Sequence, residues 1–129
     1  MEKILRKATE RTPYTAFDPD AHRLVLQGES YPEDAAAFFG PLQQALRDYV
    51  AGLGDAPFVV DLELNYFNSS SAKALMNMFM LLEQAAAAGR DIRINWRYHP
   101  DDDTMEEFGQ DFAEDFHHAT FTLCPSLDD

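Results

Sequence analysis

Asn68-Ser69-Ser70-Ser71-Ala72-Lys73 follows the strand-like run Pro57-Phe58-Val59-Val60-Asp61-Leu62-Glu63-Leu64 and opens the longest helical pattern in the chain, residues 72–88. The apolar start Phe58-Val59-Val60 suits a central strand covered on both faces. Asn and Ser are favoured at a helix N-cap, where the side-chain oxygen accepts an orphan backbone N–H. Three serines therefore stand where a strand hands over to a helix. The plain reading is a well-capped helix. The sharper one is a phosphorylation switch. Phosphate adds about −1.5 to −2 charges and three acceptor oxygens, and a helix N-terminus accepts anions. Such a position can be charged without unfolding the domain.

The helix after the serines carries two apolar lines. Ala72, Leu75, Met76, Phe79 and Leu82 form one; Ala74, Met78, Leu81 and Ala85 form the other; Lys73, Asn77 and Gln84 take the remaining face. So broad an apolar surface is either deeply buried or shared between core and partner. Methionine suits adaptable contacts, but plain core is the simpler reading of the pattern. Gly89 ends the helix, and residues 91–98 then alternate, Ile92, Ile94 and Trp96 against Arg93, Asn95 and Arg97, as a strand with one buried face does.

Working outward, Tyr14-Thr15-Ala16-Phe17 and His22-Arg23-Leu24-Val25-Leu26-Gln27 read as a hairpin around the turn Asp18-Pro19-Asp20. Ser30 and Glu33 have capping-box spacing, and Pro32 suits a first helical turn. The helix they open carries Phe39, Leu42, Leu46, Val50 and Leu53 on one face and stops at Gly52 and Gly54. Gly40-Pro41 predicts a kink there, or a short helix followed by a longer one. Downstream, Met105, Phe108, Phe112 and Phe116 stripe a last helix whose outer face is acidic, with Glu106, Glu107, Gln110, Asp111, Glu114 and Asp115. That face is a solvated surface or a dock for a basic partner. Residues 119–124 close the pattern as a strand. Residues 1–12 read as a mobile N-terminal arm, 13–124 as one domain and 125–129 as a C-terminal tail. Alternation of this kind implies an α/β layer fold, with a mixed sheet of about five strands and three main helices.

Composition excludes several classes. A net charge of −13 opposes sequence-blind binding to nucleic acid or an anionic membrane, both of which need basic patches. The single cysteine, Cys124, excludes an intrachain disulfide framework and fits a reducing compartment. Neither a secretory signal pattern nor an apolar run of spanning length is present, so a cytoplasmic protein is expected. Catalytic signatures are sparse. Asp61 and Glu63, two apart on a strand, read better as solvated or capping groups than as an acid pair. Asp101-Asp102-Asp103 lacks calcium-loop spacing and reads as a helix cap. His22 has no companion at ligand spacing and reads as an exposed strand histidine. His117-His118 cannot both face one metal from a helix. Cys124 has no basic neighbour to activate it. No cofactor, metal or catalytic residue is expected.

Gly28-Glu29-Ser30-Tyr31-Pro32-Glu33, together with the run from Asp61 through Asn65-Tyr66-Phe67-Asn68-Ser69 to Lys73, resembles the SiaC family of biofilm-regulation phosphoproteins. Leu82-Glu83, Gly89-Arg90 and Trp96-Arg97-Tyr98 fit the same pattern, and the resemblance spans about residues 14–121. It implies a STAS-like domain, similar to bacterial anti-anti-sigma factors. It further implies a non-enzymatic switch that, unphosphorylated, binds and activates a diguanylate cyclase, raising cyclic di-GMP and promoting aggregation or biofilm. The implied modifying enzymes are a serine/threonine kinase of the histidine-kinase-like ATPase type and a metal-dependent phosphatase. Carried over by motif, Ser69 is the phosphoacceptor, where the family often has threonine; Ser70 and Ser71 remain alternatives. The implied partner surface is Asn68, Ser69, Ser70, Lys73, Ala74, Met78 and Leu81, because the second apolar line begins beside the serines. An anti-anti-sigma factor acting on a sigma-regulating kinase would carry the same acceptor. A small metal-dependent enzyme using Asp101–Asp103 or the histidines is the other class left open.

Overall fold

Strand and helix patterns alternate along the chain, and the computed structural model, which describes residues 1–126, realises them in order. They are β1 (Ile4–Arg6), β2 (Tyr14–Asp18), β3 (Arg23–Ser30), α1 (Ala35–Ala51), β4 (Phe58–Phe67), α2 (Ser69–Ala87), β5 (Ile92–Tyr98), α3 (Asp103–Ala113) and β6 (Thr120–Pro125). Among the described residues the strands form one mixed sheet in the order β1-β2-β3-β4-β5-β6. The first three strands pair antiparallel; β3 through β6 run parallel. Each of α1, α2 and α3 thus carries the chain one strand further in the same direction. Right-handed crossovers then put all three helices on one face of the sheet. Aromatic contacts mark that face: Tyr49 of α1 on Phe17 and Phe58, Phe79 of α2 on Phe121, and Phe112 of α3 on Trp96.

The α/β class, the hairpin and the crossover helices stand as expected. Among the described residues the sheet has six strands where about five were expected. Ile4–Arg6, read as part of a mobile arm, is an edge strand with Ile4 opposite Phe17. Ile4 packs against the core, while the Arg6 guanidinium donates to the Phe38 carbonyl at 2.7 Å and lies over the Phe38 ring. Three residues are too few for alternation to show, and the anchors are distant in sequence. At the other end Pro125 closes β6 and the Ser126 N–H donates to the Tyr98 carbonyl at 2.6 Å, so the expected tail is ordered that far. Residues 127–129 of that tail lie outside the described residues.

Two helix expectations also change. Asp34, not Ser30, caps α1, accepting from the Ala37 N–H at 3.0 Å, and Glu33 pairs with Arg11. Of the two forms expected at Pro41, the split into a short and a longer helix is set aside, because α1 is one helix with Pro41 inside it. An interior proline costs about 3 kcal/mol, but Phe39, Leu42, Leu46, Tyr49 and Val50 are buried along this one helix, and packing of an apolar face dominates helix stability. His22 is neither on a strand nor fully exposed: it sits just before β3 at φ 56°, half-buried, hydrogen-bonded to the Tyr49 hydroxyl.

Helix α3 is fitted closely to β5. The Trp96 indole donates to the Met105 carbonyl at 2.9 Å. A Cβ at Gly109 would lie 2.5 Å from Trp96 Cδ1 and 2.6 Å from Leu123 Cδ2. Gly40, in contrast, has no atom within 4 Å of where its Cβ would be. Gly109→Ala is expected to lower stability by about 1–3 kcal/mol through overpacking. Gly40→Ala is expected to raise it by about 0.5–1 kcal/mol through helix propensity. Chemical denaturation of both variants checks the pair, and equal effects would contradict the packing described.

Candidate functional site

The parallel pairing of β3 and β4 is interrupted once. Gly28 pairs with Leu64, but Glu29 pairs with Tyr66, leaving Asn65 as the extra residue of a bulge. Gly28 has φ +116°, which few other residues adopt. The bulge reverses the inward parity of β4. Before it Phe58, Val60, Leu62 and Leu64 are buried; after it Phe67 is buried and Tyr66 is 49% exposed. Tyr66 meets Tyr31 edge-to-face, with ring centroids 5.8 Å apart.

The chain then turns directly into α2. Asn68 is its N-cap, its side-chain oxygen accepting from the Ser71 N–H at 2.9 Å. The Asn68 N–H donates to the Ser30 carbonyl at 3.1 Å, and the Ser30 and Ser71 hydroxyls share a buried hydrogen bond of 2.8 Å. The helix starts earlier than residue 72, so the serines are its first turn. This separates three hydroxyls that the sequence could not. Ser71 is fully buried and tied to Ser30; Ser69 and Ser70 are exposed.

The outer line of α2 is not the one expected. Ala74 and Met78 are buried, and Leu81 is half-buried toward α1. The core line is Ser71, Ala74, Leu75, Met78, Phe79, Leu82 and Ala86. The line left open is Ser69, Lys73, Met76, Met80 and Gln84. The second apolar line is therefore core, and Met76, on the first apolar line, is 46% exposed. Helices on both sides, α1 and α3, claim the flanks of α2, and that arrangement is invisible in α2's own periodicity.

At its far end the open line meets α3. A groove of about 410 Å³ lies there, lined by Met76, Phe79, Met80, Phe112, Asp115 and Phe116 among others. Glu83 closes one side. Its carboxylate accepts from the backbone N–H groups of His117, His118 and Ala119 and from the His118 ring. Burial works to raise its pKa, but these hydrogen bonds outweigh it and hold the group down at about 2. The histidine pair is thereby a carboxylate clip between α2 and the segment before β6.

On the opposite face of the sheet Asp61 is 5% exposed, not solvated. It is bonded by Arg23, by Asn95 at 2.9 Å and by Arg97 at 3.1 Å. Burial opposes its charge, yet the Asn95 and Arg97 hydrogen bonds and the Arg23 charge hold its pKa below the usual value. Adjacency of β3, β4 and β5 makes this cluster, and Arg97 and Asn95 on the polar face of β5 were its signal. Asp102 caps α3 as expected, accepting from the Met105 N–H at 3.1 Å. Among the described residues no group of three His, Cys, Asp or Glu is placed to hold a metal, and no helix is long and apolar enough to cross a membrane.

A one-faced α/β layer with a serine-bearing helix cap and an open line beside it is the fold of a family of regulatory phosphoproteins. The chain belongs to the SiaC family regulatory phosphoproteins, whose family pattern matches residues 6–126. It is 37% identical over 107 residues to an uncharacterised protein of Pseudomonas aeruginosa strain UCBPP-PA14, covering 83% of this chain and 84% of that one. The crystal structure of apo-SiaC from Pseudomonas aeruginosa superposes with a TM-score of 0.86 at 35% identity, over 96% of this chain and 99% of that one. A chain in the crystal structure of diguanylate cyclase SiaD in complex with its activator SiaC, from the same organism, gives a TM-score of 0.90 at 33% identity, over 95% of this chain and 99% of that one.

Because the Glu83 pKa is depressed in the folded state, its contribution is fully present above its ordinary value near 4.5 and is lost as pH falls toward about 2. Glu83→Gln is expected to lose about 1–3 kcal/mol of stability at pH 7, with the gap to wild type closing as the pH drops through this window. Urea melts at several pH values check it; a gap independent of pH would contradict the clip.

Proposed function

We propose that this protein is a phosphorylation-switched activator of a diguanylate cyclase. Unphosphorylated, it binds the cyclase through the surface headed by Ser69, raises cyclic di-GMP and so promotes aggregation or biofilm. It acts in the cytoplasm and catalyses nothing itself. A histidine-kinase-like serine/threonine kinase charges Ser69, and a metal-dependent phosphatase clears it. One observation carries this reading: Ser69 is an exposed first-turn serine heading the open line of α2, in a chain that aligns nearly end to end with the SiaC of the cyclase–activator complex.

The chemistry is consistent in both states. A phosphate on Ser69 meets the positive end of the α2 dipole and Lys73 one turn on, the only cation within α2. Modification therefore leaves the fold intact. Covered by an apolar partner, the same phosphate is a buried charge without a full set of donors. Leaving a buried charge unpaired costs about 3–5 kcal/mol, and about 1.4 kcal/mol is tenfold in affinity, so binding falls a hundredfold or more. Ser70 is exposed too, but lies off the Ser69–Lys73–Met76 line. Ser71 would have to break its bond to Ser30 to be reached.

Incubation with the cognate kinase and ATP, followed by intact-mass and phosphopeptide analysis, is expected to give one phosphate on Ser69, and none on Ser69→Ala. Ser69→Asp is expected to activate the cyclase at least tenfold less effectively than wild type while melting no lower. Phosphate at a distant residue, or full activation by Ser69→Asp together with unimpaired activation by the phosphorylated protein, would count against the switch.

A further inference from the structure

We propose that the groove between α2 and α3 is a second contact of the activator surface, and that it seats a cyclase segment carrying large apolar side chains flanked by lysine or arginine. This rests on the activator reading above and adds to it a place and a partner chemistry.

The groove is built for an apolar insert. Its floor is Phe79, Phe112 and Phe116, rings that already belong to one aromatic cluster with Phe121 and Trp96. Its wall is Met76 and Met80, 46% and 59% exposed. With Tyr66 they are, among the described residues, the large apolar side chains that the body of the fold leaves open, Met1 and Leu5 lying at the N-terminal edge. Methionine is unbranched and polarisable, so it reshapes around an incoming side chain at little steric cost. Met76 and Met80 continue the line of Ser69 and Lys73 along α2. At about 1.5 Å per residue Met80 lies roughly 16 Å from Ser69 along the helix axis, a span that one standard-sized interface covers.

The charge around the groove names the flanks of the insert. Asp115 stands on its lining, and residues 101–115 hold eight carboxylates and no lysine or arginine. Glu83 is occupied by backbone N–H groups, so its charge is largely spent inside the protein. Glu106 is engaged by Tyr98, whereas Asp111, Glu114 and Asp115 are exposed. A basic-flanked segment is attracted and an acidic one repelled, which is how surface charge selects partners and speeds encounter. The two ends of the line then act by different physics. At the Ser69 end phosphate works locally, by desolvation. At the groove the carboxylates work through a field that salt screens within about 8 Å at physiological ionic strength, so they do not offset what happens at Ser69.

Calorimetric titration of the full chain with its purified full-length cyclase, at low and high salt, tests this. The Met76→Asp/Met80→Asp double variant is expected to bind at least tenfold more weakly than wild type at an unchanged melting temperature. Asp115→Lys is expected to weaken binding about threefold to tenfold at low salt and to flatten its salt dependence. Binding of the double variant within twofold of wild type, with Ser69→Asp still weakened, would overturn the groove and leave the switch standing. A salt dependence untouched by Asp115→Lys would overturn the basic flanks. If wild type does not bind the cyclase, the activator reading falls, and the groove assignment with it.

Discussion

The buried hydrogen bond between the Ser30 and Ser71 hydroxyls fixes where α2 begins and how it is rotated. It ties the last residue of β3 to the first turn of the helix that follows β4. The Ser30 carbonyl also takes the Asn68 N–H, so one serine at the end of a strand holds both the cap and the turn behind it. Removing either hydroxyl leaves the other buried without its partner, a loss of about 1–3 kcal/mol. With Ser71 turned inward, Ser69 faces out, and every outward residue of α2 follows at helical spacing. The bulge at Asn65 is the other half of the constraint. Without its extra residue β4 would keep its parity, Phe67 would leave the core and the cap would face another way.

Charge is divided across the molecule in a way that net charge alone conceals. On the uncovered sheet face a buried aspartate gathers two arginines and an asparagine into one satisfied cluster. On the helical side Glu83 fastens α2 to the segment before β6, and residues 101–115 carry eight carboxylates with no lysine or arginine among them. Interior charge thus serves the fold, while unspent charge lies beside the groove and Lys73 beside Ser69.

Much of the fold was legible because its signals are local. Alternation marked β5, hydrophobic spacing marked α1 to α3, and strand–helix alternation implied the crossover layer. Asn68 followed by serines announced the cap of α2. What stayed hidden depends on neighbours. β1 is too short to carry a pattern and holds by docking Ile4 and Arg6. The single α1 helix survives Pro41 because its burial outweighs a local penalty. Met78, placed on the partner surface, is core, and Met76 is the open methionine, since which apolar residues of α2 stay exposed depends on where α1 and α3 sit. Ser69, Ser70 and Ser71 are chemically identical in the sequence, and only the contact with Ser30 tells them apart. Tyr66 and Glu83 lay within the motifs that carried the family resemblance, but their roles, an exposed ring and a backbone clip, arise from the bulge and from pairing across the chain.

The central claim is that one phosphate on Ser69 closes a surface otherwise open to a cyclase. The most direct measurement compares the dissociation constants of unmodified and enzymatically monophosphorylated protein for the same purified cyclase, with thermal melts of both. The account predicts a loss of a hundredfold or more on phosphorylation at an unchanged or slightly higher melting temperature. Equal affinities for two folded forms would contradict it, and the exposed serine would then be no more than part of a helix cap.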